Sequence, residues 1–192
     1  MATPKPKPGD PIADLVDSLL VELGEDPDRQ GLKATPDRVA RALRELTSGY
    51  RVKPEEVIAD AIFDQDYDEM VVVKDIDFYS LCEHHMLPFF GQVHVGYLPK
   101  GKVVGLSKIP RLVEIFSHRL QIQEQLTRQI AEALNGALAP RGVGVVVEAR
   151  HLCMEMRGVE TRGGGMMTSC MLGTFRRDPR TRAEFLDLVR RK

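Results

Sequence analysis

Residues 80–88 read Ser-Leu-Cys-Glu-His-His-Met-Leu-Pro and separate two runs of β-branched and aromatic residues. The first run covers 70–79 and the second covers 89–98, and both have the composition and alternation that favour strands. A short break between two such runs predicts an antiparallel strand pair. A thiol and two imidazoles therefore lie at one end of that pair.

Further along the chain, two helical patterns follow the strand pair, one opening at Ser107 and a longer one near Gln121. Strand patterns return at 143–156 and at 167–175, and a last helix opens with the capping box at 181–184. The order ββααββ pairs consecutive strands and places helices over one face of an antiparallel sheet. The predicted fold class is therefore α+β.

The N-terminal part of the chain has a different texture. Residues 1–9 are rich in Pro and Lys and predict a flexible arm. Two helices follow before residue 50, and each begins with a cap residue and a proline. The chain is thus predicted to comprise a flexible arm at 1–9, a helical segment at 10–66 and an α+β domain at 67–192 that includes the C-terminal helix.

Composition excludes several classes of protein. The chain has 192 residues, 43% of them hydrophobic, and a net charge of -1, so it has no global attraction for nucleic acid or anionic lipid. It has neither an apolar run of about 18 residues nor the apolar core of a signal peptide, and we expect no membrane association. Three cysteines argue against a disulfide framework and favour a cytoplasmic protein.

The histidines and cysteines predict a metal centre. Cys82 and His85 have C-x-x-H spacing, while His151 and Cys153 are two apart in a predicted strand and so share one face. A zinc ion held by Cys82, His85 and Cys153 would keep an open fourth position, as catalytic zinc sites do. His84 and His151 would then remain as imidazoles able to move protons near neutral pH.

Two other interpretations stay open on local chemistry alone. Cys82 and Cys153 could be ordinary buried thiols, as we expect of Cys170, because free cysteine is among the most buried residue types. A closed structural zinc site is the second interpretation, and His151 would have to be its fourth ligand.

Five separated motifs in the chain resemble GTP cyclohydrolase I. They are Ser80-Leu-Cys-Glu-His-His-Met-Leu-Pro-Phe-Phe-Gly91, Gly105-Leu-Ser-Lys-Ile109, Gln121-Ile-Gln-Glu-Gln-Leu-Thr127, Glu148-Ala-Arg-His-Leu-Cys153 and Met156-Arg-Gly-Val159. The resemblance extends over about residues 10–190. It implies the tunnelling fold (T-fold), in which subunit sheets join into a barrel, and a homodecamer with active sites between subunits.

The resemblance also implies a role for each matching residue. The zinc ligands would be Cys82, His85 and Cys153, and the catalytic proton carriers would be His84 and His151. The guanine contacts would be Gln123 and Glu124, since a carboxylate that accepts two purine N–H bonds selects guanine over adenine. The contacts to ribose and triphosphate would be Ser107, Lys108, Arg111, Arg157 and Arg41.

Arg41 belongs to a row with Arg38 and Arg44 that, without the resemblance, is typical of a solvated helix face. Arg38 is a weaker phosphate candidate beside Arg41.

The reaction implied by the resemblance is zinc-dependent hydrolysis of GTP at C8 of the purine, with release of formate and rearrangement to 7,8-dihydroneopterin triphosphate. This is the first step of tetrahydrofolate and pterin biosynthesis. His151 would handle the proton at N7, and His84 would serve the ribose oxygens.

Two features depart from the family pattern: the glycine-rich loop at 160–166, and Arg150, whose side chain should point away from the site.

Two other functions also stay open. One is a zinc-stabilised module that binds a purine or pterin without turnover, although such a module has no use for two free histidines. The other is a sister T-fold enzyme acting on pterins or deazapurines, which would use a three-histidine zinc or a catalytic cysteine without zinc.

Overall fold

A computed structural model describes residues 9–158 and 164–191 of the chain. The predicted arm, apart from Gly9, and residues 160–163 of the glycine-rich loop lie outside the described residues. The described chain divides into two compact units, and the boundary along the sequence lies between Ser48 and Gly49. A 3-10 helix at Ser48–Arg51 spans this boundary.

The first unit is a pair of helices, α1 (Pro11–Glu22) and α2 (Thr35–Leu46). Asp10 caps α1, because its side chain accepts a hydrogen bond of 3.0 Å from the Ile12 N–H. The same carboxylate forms a two-pronged ion pair with Arg44 of α2, at 2.6 and 2.9 Å. This guanidinium lowers the pKa of the Asp10 carboxyl below its ordinary value. One member of the arginine row therefore joins the two helices.

The second unit contains six helices and seven strands among its described residues. In chain order they are α3 (Pro54–Ala59), β1 (Ile62–Asp64), β2 (Val71–Cys82), β3 (Pro88–Leu98), β4 (Lys102–Val104), α4 (Lys108–Ser117), β5 (Leu120–Gln121), α5 (Gln123–Leu138), β6 (Gly142–His151), α6 (Leu152–Glu155), β7 (Met166–Gly173), α7 (Thr174–Arg177) and α8 (Pro179–Arg190).

The main sheet has the strand order β5-β2-β3-β6-β7. Its four long strands are antiparallel to their neighbours, and the two-residue β5 pairs in parallel with the end of β2. A separate small sheet pairs β1 with β4. The predicted α+β class with ββααββ order is confirmed.

Helices α4 and α5 cover one face of the sheet, as predicted. Alternate residues of β6 turn toward them, and fully buried side chains such as Phe89, Leu112 and Ile130 fill this core. Phe175 and Phe185 of the C-terminal helices pack instead with Val146, which points to the other face. The last helix therefore covers the opposite side of the sheet.

The last helix, α8, begins at Pro179, two residues before the start that the capping box at 181–184 predicts. Asp178 is its N-cap, with a side chain that accepts a 2.9 Å hydrogen bond from the Arg180 N–H, and Pro179 is its first residue. Within the described part of the chain, every helix is too short or too polar to cross a bilayer.

Candidate active site

Three candidate metal ligands converge at one end of the sheet. Cys82 is the last residue of β2, His85 lies in the turn to β3, and Cys153 lies in α6 just after β6. The possible ligand atoms of these three residues all lie within 4.8 Å of one another, and Cys82 Sγ is 3.9 Å from His85 Nδ1. The predicted grouping of these residues is thus present in the fold.

The turn that carries His85 is closed by its own backbone. The Cys82 N–H donates to the Leu87 carbonyl at 2.9 Å, and the Met86 N–H donates to the Cys82 carbonyl at 2.8 Å. Met86 adopts a positive φ of 54°, which lets the chain reverse so tightly. These contacts hold the thiol of Cys82 and the imidazole of His85 on one side of the hairpin.

Cys153 reaches the cluster by a route that differs from the prediction. The sequence predicted a strand through residue 156, with His151 and Cys153 on one face of it. The structure ends β6 at His151 and turns Leu152–Glu155 into a short helix. Within the described residues, the ladder with β7 has its last pair at Ala149 and Met166 and the ladder with β3 has its last pair at His151 and Phe89, so no described strand pairs with residues 152–155 and they form a helical turn.

Two thiols and one imidazole form a donor set that suits zinc. Ligand bonds of about 2.0–2.3 Å in tetrahedral geometry require ligand atoms about 3.5–3.8 Å apart, so a small contraction of the cluster would complete the site. Cys82 is buried, Cys153 half-buried and His85 exposed. Burial raises the pKa of the Cys153 thiol, and the neighbouring Cys82 raises it further. A bound cation would offset both effects by favouring the thiolate.

The two remaining histidines have different surroundings. His84 lies on the turn with 67% of its side chain exposed, and its Nε2 is 3.9 Å from a Glu83 carboxylate oxygen. His151 is half-buried at the end of β6, and its ring stacks on Phe89 with centroids 4.8 Å apart and planes 5° apart. Burial lowers the pKa of His151, while the carboxylates of Glu124 and Glu155 oppose that shift.

Gln123 and Glu124, the predicted guanine contacts, are neighbours with opposite exposure. Gln123 is 1% exposed, and its Oε1 lies 2.8 Å from His151 Nε2. Glu124 is exposed and lines an open cavity of 530 Å³ between α5 and β7, together with Thr127, Arg128 and Ser169.

The predicted phosphate contacts come from three segments. Ser107, Lys108 and Arg111 lie at the start of α4, and Arg157 is exposed beyond α6, where its charge partly opposes the rise that burial causes in the pKa of Cys153. Among the described residues, none of the four makes a direct hydrogen bond to the metal-ligand cluster. Arg41 lies on α2, in the first unit.

Sequence reasoning missed two partners of His151. Phe89 lies directly opposite His151 in the β3–β6 ladder, a pairing that the alternation of β3 alone could not reveal without the register. The hydrogen bond that the Gln123 Oε1 accepts from His151 Nε2 had no signal in the sequence. Arg150, whose side chain the sequence predicts to point away from the site, forms an ion pair of 2.6 Å with Glu155.

The chain was compared with protein-family models and with known proteins, and both comparisons gave the same family over most of its length. The sequence model of the GTP cyclohydrolase I family matches residues 12–190. The chain is 57% identical over 180 residues to GTP cyclohydrolase 1 of Coxiella burnetii (strain RSA 493 / Nine Mile phase I), covering 94% of this chain and 98% of that protein. It is 59% identical over 178 residues to GTP cyclohydrolase 1 of Chlorobaculum tepidum, covering 93% and 80%. It is 58% identical over 179 residues to GTP cyclohydrolase 1 of Rattus norvegicus, covering 93% and 74%. The chain belongs to the GTP cyclohydrolase I family.

Proposed function

We propose that this chain is a GTP cyclohydrolase I, which hydrolyses GTP at C8 of the purine, releases formate and forms 7,8-dihydroneopterin triphosphate. The observation that carries the proposal is the cluster of Cys82, His85 and Cys153 next to two histidines outside it, in a chain of this family. A protein that only bound a purine would have no use for the two histidines.

Cys82, His85 and Cys153 would hold a zinc ion, with three protein ligands and a fourth position open to water or substrate. Zinc in such a site supplies Lewis acidity, which lowers the pKa of a coordinated water toward neutrality. The alternative of a closed structural site needs His151 as a fourth ligand, but among the described residues the side chains whose ligand atoms converge within 4.8 Å are Cys82, His85 and Cys153, without His151.

The two other histidines would act as proton carriers at different parts of the substrate. His151 is held beside the cluster, and burial favours its neutral form, which can accept a proton and return it at purine N7. His84 is exposed on the turn, where a ribose could approach, and would move protons at the ribose ring oxygen and hydroxyls.

Substrate recognition would divide between the purine and the triphosphate. The Glu124 carboxylate faces an open cavity and can accept two N–H bonds from the guanine edge, with Gln123 beside it. The triphosphate would be anchored by Ser107, Lys108, Arg111, Arg157 and Arg41. Its binding energy would position the base without any chemistry at phosphorus.

The sheet supports a homo-oligomer as part of this proposal. Among the described residues, β7 pairs only with β6, and on its outer side β2 pairs with β5 only at Leu81 and Cys82. Such open edges favour pairing with another chain, and β7 contains neither Pro nor Lys to prevent it. A decamer with active sites between subunits is the assembly we propose.

We also propose a cytoplasmic location, because the three cysteines are free thiols.

Turnover of GTP by zinc-loaded protein tests the function directly. We expect formate release together with neopterin fluorescence after oxidation of the product. His151→Ala should lower kcat by about 10²–10⁴-fold, the usual contribution of a general acid or base. Cys170→Ala, which removes a thiol outside the cluster, is the matched control and should retain activity. A His151→Ala protein that releases formate at the native rate contradicts the mechanism, and GTP binding without fluorescence favours the binding module.

A further inference from the structure

The side-chain amide of Gln123 is held in one orientation. Its Nε2 donates hydrogen bonds to the carbonyls of Val147 and Met166, both at 2.9 Å, near the end of the β6–β7 ladder. An amide oxygen cannot take that place, because oxygen and carbonyl would then be two acceptors face to face. The Gln123 oxygen must therefore point the other way.

In that direction lies His151. The Gln123 Oε1 is 2.8 Å from His151 Nε2, and an amide oxygen can only accept a hydrogen bond. His151 Nε2 must carry the proton, so the lone pair of the neutral imidazole is on Nδ1. Two backbone carbonyls of the sheet thus determine, through one side chain, which ring nitrogen of His151 can accept a proton.

The plane of the imidazole is fixed by a second contact. Phe89 is fully buried and lies parallel to the His151 ring. The stacking restricts tilt of the ring, and the hydrogen bond from Nε2 restricts its rotation.

Gln123 has little capacity left for a purine. Both of its amide hydrogens are used within the protein, and its side chain is 1% exposed. Glu124, the next residue, is exposed at the cavity, so it can offer both carboxylate oxygens to the guanine edge.

We propose that Gln123 is a positioning residue that sets the tautomer and ring orientation of His151, and that recognition of the guanine edge falls to Glu124 alone. This inference rests on the proposed function only for the statement that His151 carries a proton in catalysis. It narrows the role predicted for Gln123, which was contact with the base.

The tautomer can be measured directly. We suggest solid-state NMR of zinc-loaded protein with ¹⁵N-labelled histidine at about pH 8, where an ordinary imidazole is neutral. The His151 signals are assigned by difference from His151→Ala. We expect a protonated Nε2 and an unprotonated Nδ1 in the native protein. The reverse tautomer in the native protein overturns the inference, whatever the variants do.

Two substitutions of Gln123 and one of its neighbour separate positioning from binding. Gln123→Met removes the acceptor and should mix or reverse the tautomers, with kcat lowered about 10–100-fold, as for other residues that orient a catalytic group, and little change in KM for GTP. Gln123→Glu retains an oxygen opposite Nε2 and should restore the native tautomer when its buried carboxyl is protonated, because the acid O–H can then donate to one of the carbonyls of Val147 and Met166. Glu124→Gln is the control, which should keep the tautomer and lose GTP affinity.

The outcomes also distinguish this inference from the proposed function. A Gln123→Met protein with the native tautomer, native kcat and raised KM shows that Gln123 binds the base, and the inference is then wrong. A native protein that has the expected tautomer but releases no formate from GTP leaves the positioning intact and refutes the cyclohydrolase.

Discussion

At the scale of single residues, metal content is the most direct measurement on the cluster. Cys153→Ala removes one of two thiols, and the remaining donors cannot hold zinc at the affinity of a three-ligand site. We expect zinc to fall from about one ion per chain to a small fraction, measured by elemental analysis after dialysis. Cys170→Ala leaves the cluster intact and should keep its zinc. Equal zinc in both variants would contradict the assignment of Cys153.

The charge of Glu124 gives a second prediction. Glu124→Gln replaces two acceptors by one acceptor and one donor, which opposes a purine N–H. The loss of one charge-assisted hydrogen bond corresponds to about 1.5–3 kcal/mol, or roughly 10- to 150-fold in kcat/KM for GTP. Glu132→Gln, an exposed substitution on the same helix, is the control.

Comparison with inosine triphosphate, which lacks the purine 2-amino group, sharpens this test. The native enzyme should lose activity on the analogue, while Glu124→Gln should discriminate much less between the two nucleotides. Equal discrimination by both proteins would place guanine selection elsewhere.

The sequence identified most residues near the cluster but could not describe their geometry. Cys153 was predicted through the alternation of a strand, and it reaches the cluster from a helical turn. The end of β6 depends on where β7 stops pairing with it, and β7 lies beyond a loop. Gln123 and Glu124 are adjacent and both polar, and only the tertiary fold makes the first buried and the second exposed.

At the scale of elements, the β2–β3 pair contains a β-bulge that contacts the titratable side chain of His94. The register of β2 shifts between Val73 and Ile76, and Asp75 there has a positive φ of 58°. The Asp75 N–H donates a 3.1 Å hydrogen bond to Nδ1 of the buried His94, which requires that nitrogen to be unprotonated. Burial lowers the pKa of His94. Asp75 and Glu148 oppose that shift, and Lys74 adds to it.

This pKa predicts how stability changes with pH. Above about pH 6.5 His94 is neutral in both folded and unfolded chains, so it adds no pH dependence. As the pH falls below that value, the unfolded chain takes up a proton first, and the free energy of unfolding decreases until the lowered folded pKa is reached. His94→Gln keeps an acceptor but cannot titrate. Urea midpoints at pH 7.5, 6.5 and 5.5 should fall more for the native protein than for His94→Gln, and parallel curves would contradict the prediction.

Glycines of the sheet determine how closely the C-terminal helices approach. A Cβ built on Gly144 would lie 2.7 Å from the Phe175 ring and 3.0 Å from Phe185. Gly144→Ala should therefore lower the free energy of unfolding by about 1–3 kcal/mol, as overpacking does. Gly136→Ala in α5 meets no atom within 4 Å. It should raise stability by about 0.5–1 kcal/mol through helix propensity. Urea unfolding of the two variants measures both effects, and the same sign for both would contradict this account.

Element types were predictable where local patterns dominate, and element ends were less so. Asp178 and Pro179 repeat the cap-then-proline signal that located α1, yet the capping box at 181–184 is also a valid helix start by local rules. The structure uses the earlier of the two signals, because the Asp178 side chain accepts a hydrogen bond from the Arg180 N–H and Pro179 begins the helix. Which face of the sheet a helix covers likewise depends on contacts distant in sequence.

At the scale of the whole molecule, the open edges of the sheet predict assembly. Met167→Lys combined with Ser169→Lys places two charges on the exposed side of β7, where they should disfavour pairing with another chain. Sedimentation velocity should then show a smaller particle than the native protein. Met167→Leu combined with Ser169→Thr conserves size and neutrality and should sediment as the native protein does. A native-sized particle from the lysine variant would argue against β7 as the contact edge.

The fold class was predictable from the sequence: an α+β chain with ββααββ order and the tunnelling fold of its family is confirmed. The predicted boundary between the helical segment and the α+β domain, at residues 66 and 67, was based on a change from helical to strand-like residue patterns and stays a prediction. The compact units meet at Ser48 and Gly49, because α3 packs against α4 and α5 and β1 pairs with β4. Such contacts join segments that local patterns treat as separate.

Assembly of the metal-ligand cluster depends on the register of the sheet. Cys82 ends β2 and Cys153 follows β6, and β3 pairs with both strands between them. A slip of one residue between β3 and β6 would move His151 to the opposite face and shift Cys153 along the sheet. A misregistered chain would then lack the third zinc ligand. The fraction of refolded chains that retain zinc would therefore count the sheets assembled in the native register, independently of any turnover of GTP.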